Sequence, residues 1–316
     1  MSRYLAARIA ALVPALFLLV VFVVVLVRLL PGNAIDIMLQ EQVRGTGTQR
    51  EEIERRMGLD RSIPEEIVHY SVGALRGDLG SSLWSQKPVT SLILGRLPVT
   101  LKLGVLALAL AVATGIAIGV LSAVRQSGPL DYLLRSISII GLSVPNFAVA
   151  TLVIVLPVIW WGWSPSVIYT PQADDFVAHY TQFVVPGVIL GLSSSATLMR
   201  ITRTSMLEVT RQDYIRTARA KGLAESRIVI RHALRNALIP VVSLLGLQVG
   251  ALVGGTVIIE TVFALPGIGR LLVSSLGVRD YPVVQGITLL TGVSVMVTNL
   301  VVDLSYTWID PRAKAG

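Results

Sequence analysis

The sequence predicts an all-α polytopic membrane protein with six transmembrane helices and both termini in the cytoplasm. Of its 316 residues, 53% are hydrophobic and only 15% are charged, and the mean hydropathy is +0.72. Soluble domains carry about 25% charged residues. The apolar residues also form long uninterrupted runs, and the basic residues concentrate in alternate loops. These three observations together indicate a chain that crosses a bilayer several times.

Six apolar runs are long enough to cross a hydrocarbon core, which requires about 20 residues. The first follows Arg3 and Arg8 and resembles a signal peptide, but it is longer than a usual signal core and no small-residue cleavage site follows it. We therefore predict an uncleaved helix. Gly115 and Gly119 in the second run predict close helix packing. The six spans are Ile9–Leu30, Leu101–Ala123, Ser136–Trp160, Phe183–Met199, Leu238–Phe263 and Val283–Val302.

The loop charges predict the orientation of these spans. The basic segment, Arg200–Arg235, carries nine Lys and Arg residues, whereas Trp161–Gln182 carries none. Cytoplasmic loops of membrane proteins are enriched in Lys and Arg, so the basic segment and both termini are predicted to be cytoplasmic. The net charge of +8 therefore reflects topology, and no nucleic-acid partner is predicted.

The predicted organisation has four parts. Residues 1–30 form the first transmembrane helix, and residues 31–98 form an extracytoplasmic loop. Two short amphipathic helices are predicted in that loop, at Thr48–Met57 and Pro64–Leu75. Residues 99–309 form a five-helix core that includes a cytoplasmic connection at 200–237. Residues 310–316 form a cytoplasmic tail.

Within the basic segment, residue types predict a short helix followed by a turn. Asp213 can cap the helix, Ala218 favours it, and Lys221 suits the negative end of its dipole. Gly222 fits the left-handed position that ends a helix. Glu225 opens a second helix that continues into the fifth span. A short surface helix set off by a glycine turn can dock into a groove on a soluble partner.

Two features of the spans are candidates for a translocation path. Glu260 is the only acid in an otherwise apolar stretch, where an unpaired acid is costly. It either lines the path and attracts a substrate amine, or pairs with Arg270 or Arg279 at the membrane interface. Asn299 is either a cavity-lining group or an interhelical hydrogen-bond partner.

The third span contains a second kind of candidate. Pro145 and Phe147 lie within its apolar run. A proline removes a backbone donor and interrupts a helix. The residues therefore mark either a broken helix that shapes the pore or a kink that serves packing alone.

Several kinds of chemistry are not expected. The chain has no cysteine, which excludes disulfides and thiol catalysis. His69, His179 and His232 lack the spacing of metal ligands, so no metal site is predicted. No glycine-rich phosphate loop is present. We therefore predict no catalytic residues, no cofactor bound by this chain and no ATP hydrolysis by it.

The amino-acid sequence of the basic segment is similar to a sequence motif of a known family. YIRTARAKG followed by RHALRNALIP resembles the signature cytoplasmic loop, the EAA loop, of binding-protein-dependent ATP-binding-cassette (ABC) importers, in particular the dipeptide/oligopeptide branch. Five further stretches resemble the same permeases in the same order: Arg28–Asp36, Arg76–Leu83, Gly141–Phe147, Glu260–Leu272 and Ile309–Gly316.

The resemblance implies a type I ABC importer permease fold in which the short helix is a coupling helix that sits in a cleft of the ATPase subunit. Ala218 and Gly222 match the alanine and glycine of the motif. Arg216 and Thr217 stand where the general motif has glutamate and alanine, which leaves the role of the acid unfilled. The residues implied to couple to the ATPase are Asp213, Tyr214, Arg216, Thr217, Ala218, Arg219, Lys221, Gly222 and Glu225.

The resemblance also implies partners and a location. The expected partners are a second homologous permease subunit, two cytoplasmic subunits that bind ATP and Mg²⁺, an extracytoplasmic solute-binding protein and membrane lipid. The expected location is the prokaryotic cytoplasmic (inner) membrane. Two other classes stay open from the residues alone. A secondary transporter usually has ion-coordinating groups at the midplane and matched repeats, and an intramembrane enzyme needs a nucleophile and base at membrane depth. Peptides are the expected substrate, with nickel, opines and oligosaccharides as alternatives within the branch.

Overall fold

A computed structural model describes residues 2–29, 55, 60–163 and 168–309, with side chains for 10–28, 55, 60–163, 168–250 and 256–302. Helices dominate this part of the chain. The predicted helix Thr48–Met57 lies outside the described residues apart from Arg55, as does the predicted tail at 310–316. The helices are α1 (Ser2–Leu29), α2 (Ile63–Leu75), α3 (Val89–Val124), α4 (Pro129–Ser143), α5 (Asn146–Trp161), α6 (Phe176–Thr181), α7 (Val184–Thr210), α8 (Asp213–Ala220), α9 (Glu225–Arg227), α10 (Arg235–Val262), α11 (Ile268–Gly277) and α12 (Tyr281–Ile309). A π-helical stretch, Ile228–Leu234, joins α9 to α10.

Five of the described helical stretches are long and apolar enough to cross a membrane, and α4 with α5 makes a sixth span if the two are counted together. The prediction of an all-helical membrane protein is confirmed. The predicted span Ser136–Trp160 is wrong as one continuous helix, because α4 and α5 meet at 93°. Pro145 explains the break: it disfavours helical geometry at the residue before it, and Val144 is extended with ψ 121°.

Helix α3 is longer than predicted. It has 36 residues, which corresponds to about 54 Å at the usual rise per residue and exceeds a hydrocarbon core of about 30 Å. It begins at Val89 rather than near Leu101 and contains Pro98. The proline removes one helical hydrogen bond without ending this helix. The residues at 89–98, assigned from sequence to the extracytoplasmic loop, therefore belong to the helix.

The chain divides into two compact units. The first comprises Met1–Val99 and Pro266–Val297. Its core includes Val23 and Val24 of α1 packed against Tyr70 of α2 and Leu289 of α12. Helix α2 matches the predicted helix Pro64–Leu75 closely, and Ser62 and Glu65 form a capping box at its start.

The second unit comprises Thr100–Leu265 and Thr298–Gly316, and it holds the basic segment. In this unit α3 and α7 pack at very close range. A Cβ atom at Gly119 would lie 2.6 Å from Thr202 Cβ, and one at Gly115 would lie 2.7 Å from Leu198 Cβ. Only glycine permits this approach, so the predicted role of Gly115 and Gly119 in close packing is confirmed.

Candidate functional site

Helix α8 lies in the basic segment and is strongly two-sided. Ile215 and Ala218 are its buried residues. Their side chains pack into a cluster built from the ends of α3 and α7 and the start of α10, with Ala123, Met206, Ile228, Val229, Ala233 and Ala237 as its other buried members. The opposite face is polar and exposed, and includes Asp213, Arg216, Thr217, Arg219 and Lys221. One face therefore holds α8 against the helical bundle while the other is available for contact.

The start of α8 differs from the prediction. Asp213 was expected to cap the helix, but the N-cap residue is Gln212 and Asp213 is the first helical residue. The Asp213 side chain is exposed and accepts a long, 3.5 Å contact from Arg216 one turn later. An acid in the first turn still interacts favourably with the helix dipole.

The end of α8 is the predicted glycine turn. Helix α8 ends at Ala220, with Lys221 as its C-cap residue. Gly222 has φ +75°, the left-handed conformation that favours glycine. Its N–H donates to the carbonyl of Arg219 at 2.9 Å, and the N–H of Leu223 donates to that of Ala218 at 3.3 Å. These bonds satisfy carbonyls at the helix end that have no partner within the helix.

Two side-chain contacts cross the turn and tie α8 to the next helix. Arg219 forms a bidentate pair with Glu225, with distances of 3.1 Å and 2.6 Å. The hydrogen bonds to this carboxylate raise the pKa of Arg219. Asn236 of α10 donates through Nδ2 to the Tyr214 hydroxyl at 2.8 Å. The first pair is half exposed, so it fixes geometry more than it stabilises.

The chain after the turn continues without interruption into the membrane. Helix α9, the π-helical stretch and α10 follow one another with helical backbone angles at Ile228 and Arg235. This confirms the prediction that Glu225 opens a helix that feeds the fifth span.

Two charged residues that the sequence did not single out, Asp131 and Arg203, form a buried ion pair. Asp131 in the first turn of α4 is 1% exposed. Arg203 of α7 donates to Oδ1 through Nε at 2.8 Å and to Oδ2 through its terminal nitrogen at 2.7 Å. Ser122 Oγ and the Ser127 N–H add bonds of 2.5 Å and 3.0 Å. The only sequence signal was a lone acid, two residues after the Gly128–Pro129 dipeptide, between the basic residues Arg125 and Arg135.

The candidate path residues lie at separate places in the second unit. Pro145 is the N-cap of α5 at the 93° break, and Phe147 is half exposed just after it. A cavity of about 470 Å³ lies beside the break, with Val144 and Asn146 in its lining together with Ser193 of α7. Its lining is predominantly apolar.

The other two candidates do not line that cavity. Glu260 of α10 is fully buried, and its Oε1 accepts a 2.7 Å hydrogen bond from Thr100 Oγ1 of α3. Asn299 lies exposed on α12. The Thr100 contact was not predicted, because the two residues are 160 positions apart.

Solved structures share this architecture. A chain of an amino acid ABC transporter with histidines superposes with a TM-score of 0.55 at 18% identity, covering 69% of this chain and 94% of that one. A chain of the inward-facing MetNI methionine ABC transporter gives the same TM-score at 20% identity, covering 69% and 96%. The chain therefore shares the fold of these ABC transporter chains.

Sequence relatives identify the family. Residues 115–315 match the binding-protein-dependent transport system inner membrane component. Relatives that span 99% of both chains include the glutathione transport system permease protein GsiC of Pectobacterium atrosepticum, 40% identical, and the dipeptide transport system permease protein DppB of Escherichia coli, 36% identical. A putative peptide permease of Brucella suis is 38% identical over the same share. The chain belongs to the family of binding-protein-dependent transport system inner membrane components.

The family decides among the three classes that the residues alone left open. The chain is the transmembrane permease subunit of an ATP-driven importer, of the type found in peptide ABC systems, and the ATPase of such a system is a separate subunit. It is not a secondary transporter or an intramembrane enzyme.

Proposed function

We propose that this permease moves peptides or a similar hydrophilic solute across the prokaryotic cytoplasmic membrane, and that α8 docks onto an ATPase subunit. The observation that carries the docking role is the two-sided character of α8. Its buried side, Ile215 and Ala218, holds it to the bundle, and its polar side is exposed. The glycine turn and the Tyr214–Asn236 bond join it to a helix that continues into the membrane.

The proposed docking surface consists of α8 and the turn after it. It comprises Asp213, Tyr214, Arg216, Thr217, Arg219, Lys221, Gly222 and Glu225 as exposed residues, with Ala218 as the small residue beneath them. The surface carries more basic than acidic side chains. It therefore suits a cleft lined by acidic and polar groups.

The proposed partners are a second homologous permease subunit, two ATPase subunits that bind ATP and Mg²⁺, and an extracytoplasmic solute-binding protein. The basic segment supports a cytoplasmic location for α8 and for both termini. The peptide class of substrate is supported by the relatives named for glutathione and dipeptides. The proposed path includes the break at Pro145 and Phe147, together with Glu260 and Asn299.

A crosslinking experiment tests the docking role directly. Because the chain has no cysteine, a single Thr217→Cys variant carries one reactive thiol on the exposed side of α8. We expect it to crosslink to the ATPase subunit in the assembled transporter, with a yield that changes when ATP is added. Thr151→Cys, on the exposed surface of α5, is the matched control and should not crosslink. Equal yields from both positions, or none from Thr217→Cys in an active complex, would contradict the proposal.

The substrate class is tested on the cognate binding protein. Mass spectrometry of the ligand that co-purifies with it, followed by competition of labelled dipeptide uptake, should identify a peptide. A binding protein that retains only a metal complex or an oligosaccharide, with uptake unaffected by excess peptide, would overturn this part of the proposal.

A further inference from the structure

Helix α4 has an unusual pattern of side-chain burial. All fifteen residues of α4 are described, and Asp131 is the one buried residue among them. Large apolar side chains on the same helix are exposed, for example Ile137 at 56% and Ile140 at 61%. A helix is normally held to its neighbours by apolar packing. Here the most enclosed contact is made by an acid, at the end of the helix away from the break.

The contact of Asp131 is geometrically specific. Both carboxylate oxygens receive a bond from Arg203, at 2.8 Å and 2.7 Å, and each receives one further bond, from Ser122 and from the Ser127 N–H. A guanidinium fork meets a carboxylate in one plane and one orientation. Buried ion pairs are often no more stabilising than apolar groups of the same volume. The pair therefore provides orientation that an apolar contact would not.

The partner of Asp131 lies on the helix that leads to the proposed docking surface. Arg203 is two turns before the end of α7 at Thr210, and α8 begins at Asp213. Its neighbour Thr202 is the residue against which Gly119 of α3 packs. Because that packing admits no side chain at Gly119, α3 and α7 cannot shift easily relative to each other at this level.

Further along α4 the contact with α7 opens. The cavity of about 470 Å³ lies between residues of α4, α5 and α7, with Ser138 of α4 and Ser193 of α7 in its lining. Helix α4 is thus held firmly at Asp131 and loosely near the break at Pro145. When the held end of such a helix moves, the loosely packed end is free to follow it.

We propose that Asp131 is a positioning residue whose ion pair with Arg203 transmits the movement of α7 to α4, and thereby to the break at Pro145. The inference rests on the proposed docking of α8, since that docking would move α7. Without the pair, ATP hydrolysis continues on the ATPase subunits but the break no longer follows it.

Transport and hydrolysis measured in the same proteoliposomes test this. With the whole transporter reconstituted, Asp131→Asn should lower solute uptake about tenfold while ATP hydrolysis stays within about twofold, a loss within the usual range of coupling between sites. Arg203→Lys keeps the charge but loses the fork and should give an intermediate ratio. Glu66→Gln removes an acid from a partly buried pair with Arg61 in the first unit and is the matched control, with uptake close to that of the wild type.

A double variant separates positioning from simple stabilisation. Asp131→Leu combined with Arg203→Met replaces the pair by apolar groups, which commonly restores stability. We expect the double variant to regain thermal stability and assembly but to remain uncoupled. If it regains uptake together with stability, the pair only stabilises the fold and the proposal is overturned.

A distance measurement distinguishes failure of this inference from failure of the docking proposal. Spin labels at Ile139→Cys and Ile159→Cys, both exposed positions on a cysteine-free chain, report the separation of α4 from α5 across the break. We expect this distance to change on ATP trapping in the wild-type background and not in Asp131→Asn. A change that persists in Asp131→Asn overturns the role of the pair. No change in the otherwise wild-type chain, while Thr217→Cys still crosslinks to the ATPase subunit, overturns this inference alone, whereas loss of that crosslink overturns the docking proposal.

Discussion

The Tyr214 hydroxyl of α8 accepts a 2.8 Å hydrogen bond from Asn236 Nδ2 of α10, a residue 22 positions later in the chain. The bond joins a residue before the glycine turn to a residue after it. Helix α8 is therefore connected to the fifth span through side chains as well as through the backbone. We expect Tyr214→Phe to weaken this connection by about 1 kcal/mol, the usual net worth of one hydrogen bond. The uptake rate of the assembled transporter should fall, and its ATPase rate should change little.

A double-mutant cycle checks that the two side chains act together. If the bond carries the effect, Asn236→Ala combined with Tyr214→Phe should be no worse than either single variant. Fully additive losses of uptake would mean that the two residues act independently.

The left-handed backbone of Gly222 predicts a conformational penalty rather than a clash. A Cβ atom at Gly222 would have no heavy atom within 4 Å, but its φ of +75° costs a side-chain-bearing residue about 1–2 kcal/mol. Gly222→Ala should lower the thermal stability of the purified chain and reduce uptake. Gly222→Asn should be less harmful, because asparagine tolerates this region better.

Gly277 supplies the matched control for Gly222. It also has open space at the Cβ position, but its φ is not positive. Gly277→Ala should therefore be neutral or slightly stabilising. Equal losses of stability at both positions would argue against the backbone explanation.

The buried position of Ala218 predicts that its size matters. Ala218 is 8% exposed and packs in the cluster beneath α8. We expect Ala218→Leu to cost about 1–3 kcal/mol through overpacking and to lift α8 from the bundle. Ala224→Leu, at an exposed position in the same turn region, should leave stability unchanged. Thermal unfolding in detergent and limited proteolysis of the turn measure both.

The break at Pro145 should depend on the proline itself. In Pro145→Ala the restraint on Val144 disappears and a backbone donor returns, so α4 and α5 should become straighter. Spin labels at Ile139→Cys and Ile159→Cys measure the change, and uptake should fall. Pro157→Ala, which alters a proline inside α5, should leave the angle between α4 and α5 as it is. An unchanged distance in Pro145→Ala would mean that tertiary packing alone maintains the break.

The contact between Thr100 and Glu260 predicts a stability effect inside the second unit. Removal of the Thr100 hydroxyl takes one donor from a fully buried carboxyl. We expect Thr100→Val to cost about 1 kcal/mol, the usual net contribution of one hydrogen bond. Thr151→Val, at an exposed position of α5, is the control. A Thr100→Val variant as stable as its control would show that the bond contributes nothing measurable.

Features that depend on neighbouring residues were predictable from sequence. The apolar runs predict the spans because a bilayer demands about 20 apolar residues wherever the chain crosses it. The glycine turn after α8 was predictable because a left-handed helix end favours glycine regardless of context. The helical residues at 89–98 were not predicted because a proline such as Pro98 usually marks the end of a helix. A long helix can nevertheless accommodate one lost hydrogen bond.

Contacts between distant side chains could not be predicted from local sequence patterns. Asp131 and Arg203 are 72 positions apart, and Thr100 and Glu260 are 160 apart. No local rule relates such residues, since their contact depends on which helices pack together and at what rotation. Local sequence patterns were enough to predict that the chain crosses a membrane and has a short helix beside a glycine turn. Packing decided how that helix is tied to the bundle and that an ion pair holds the start of the broken span, because buried charges find their partners only once the helices are assembled.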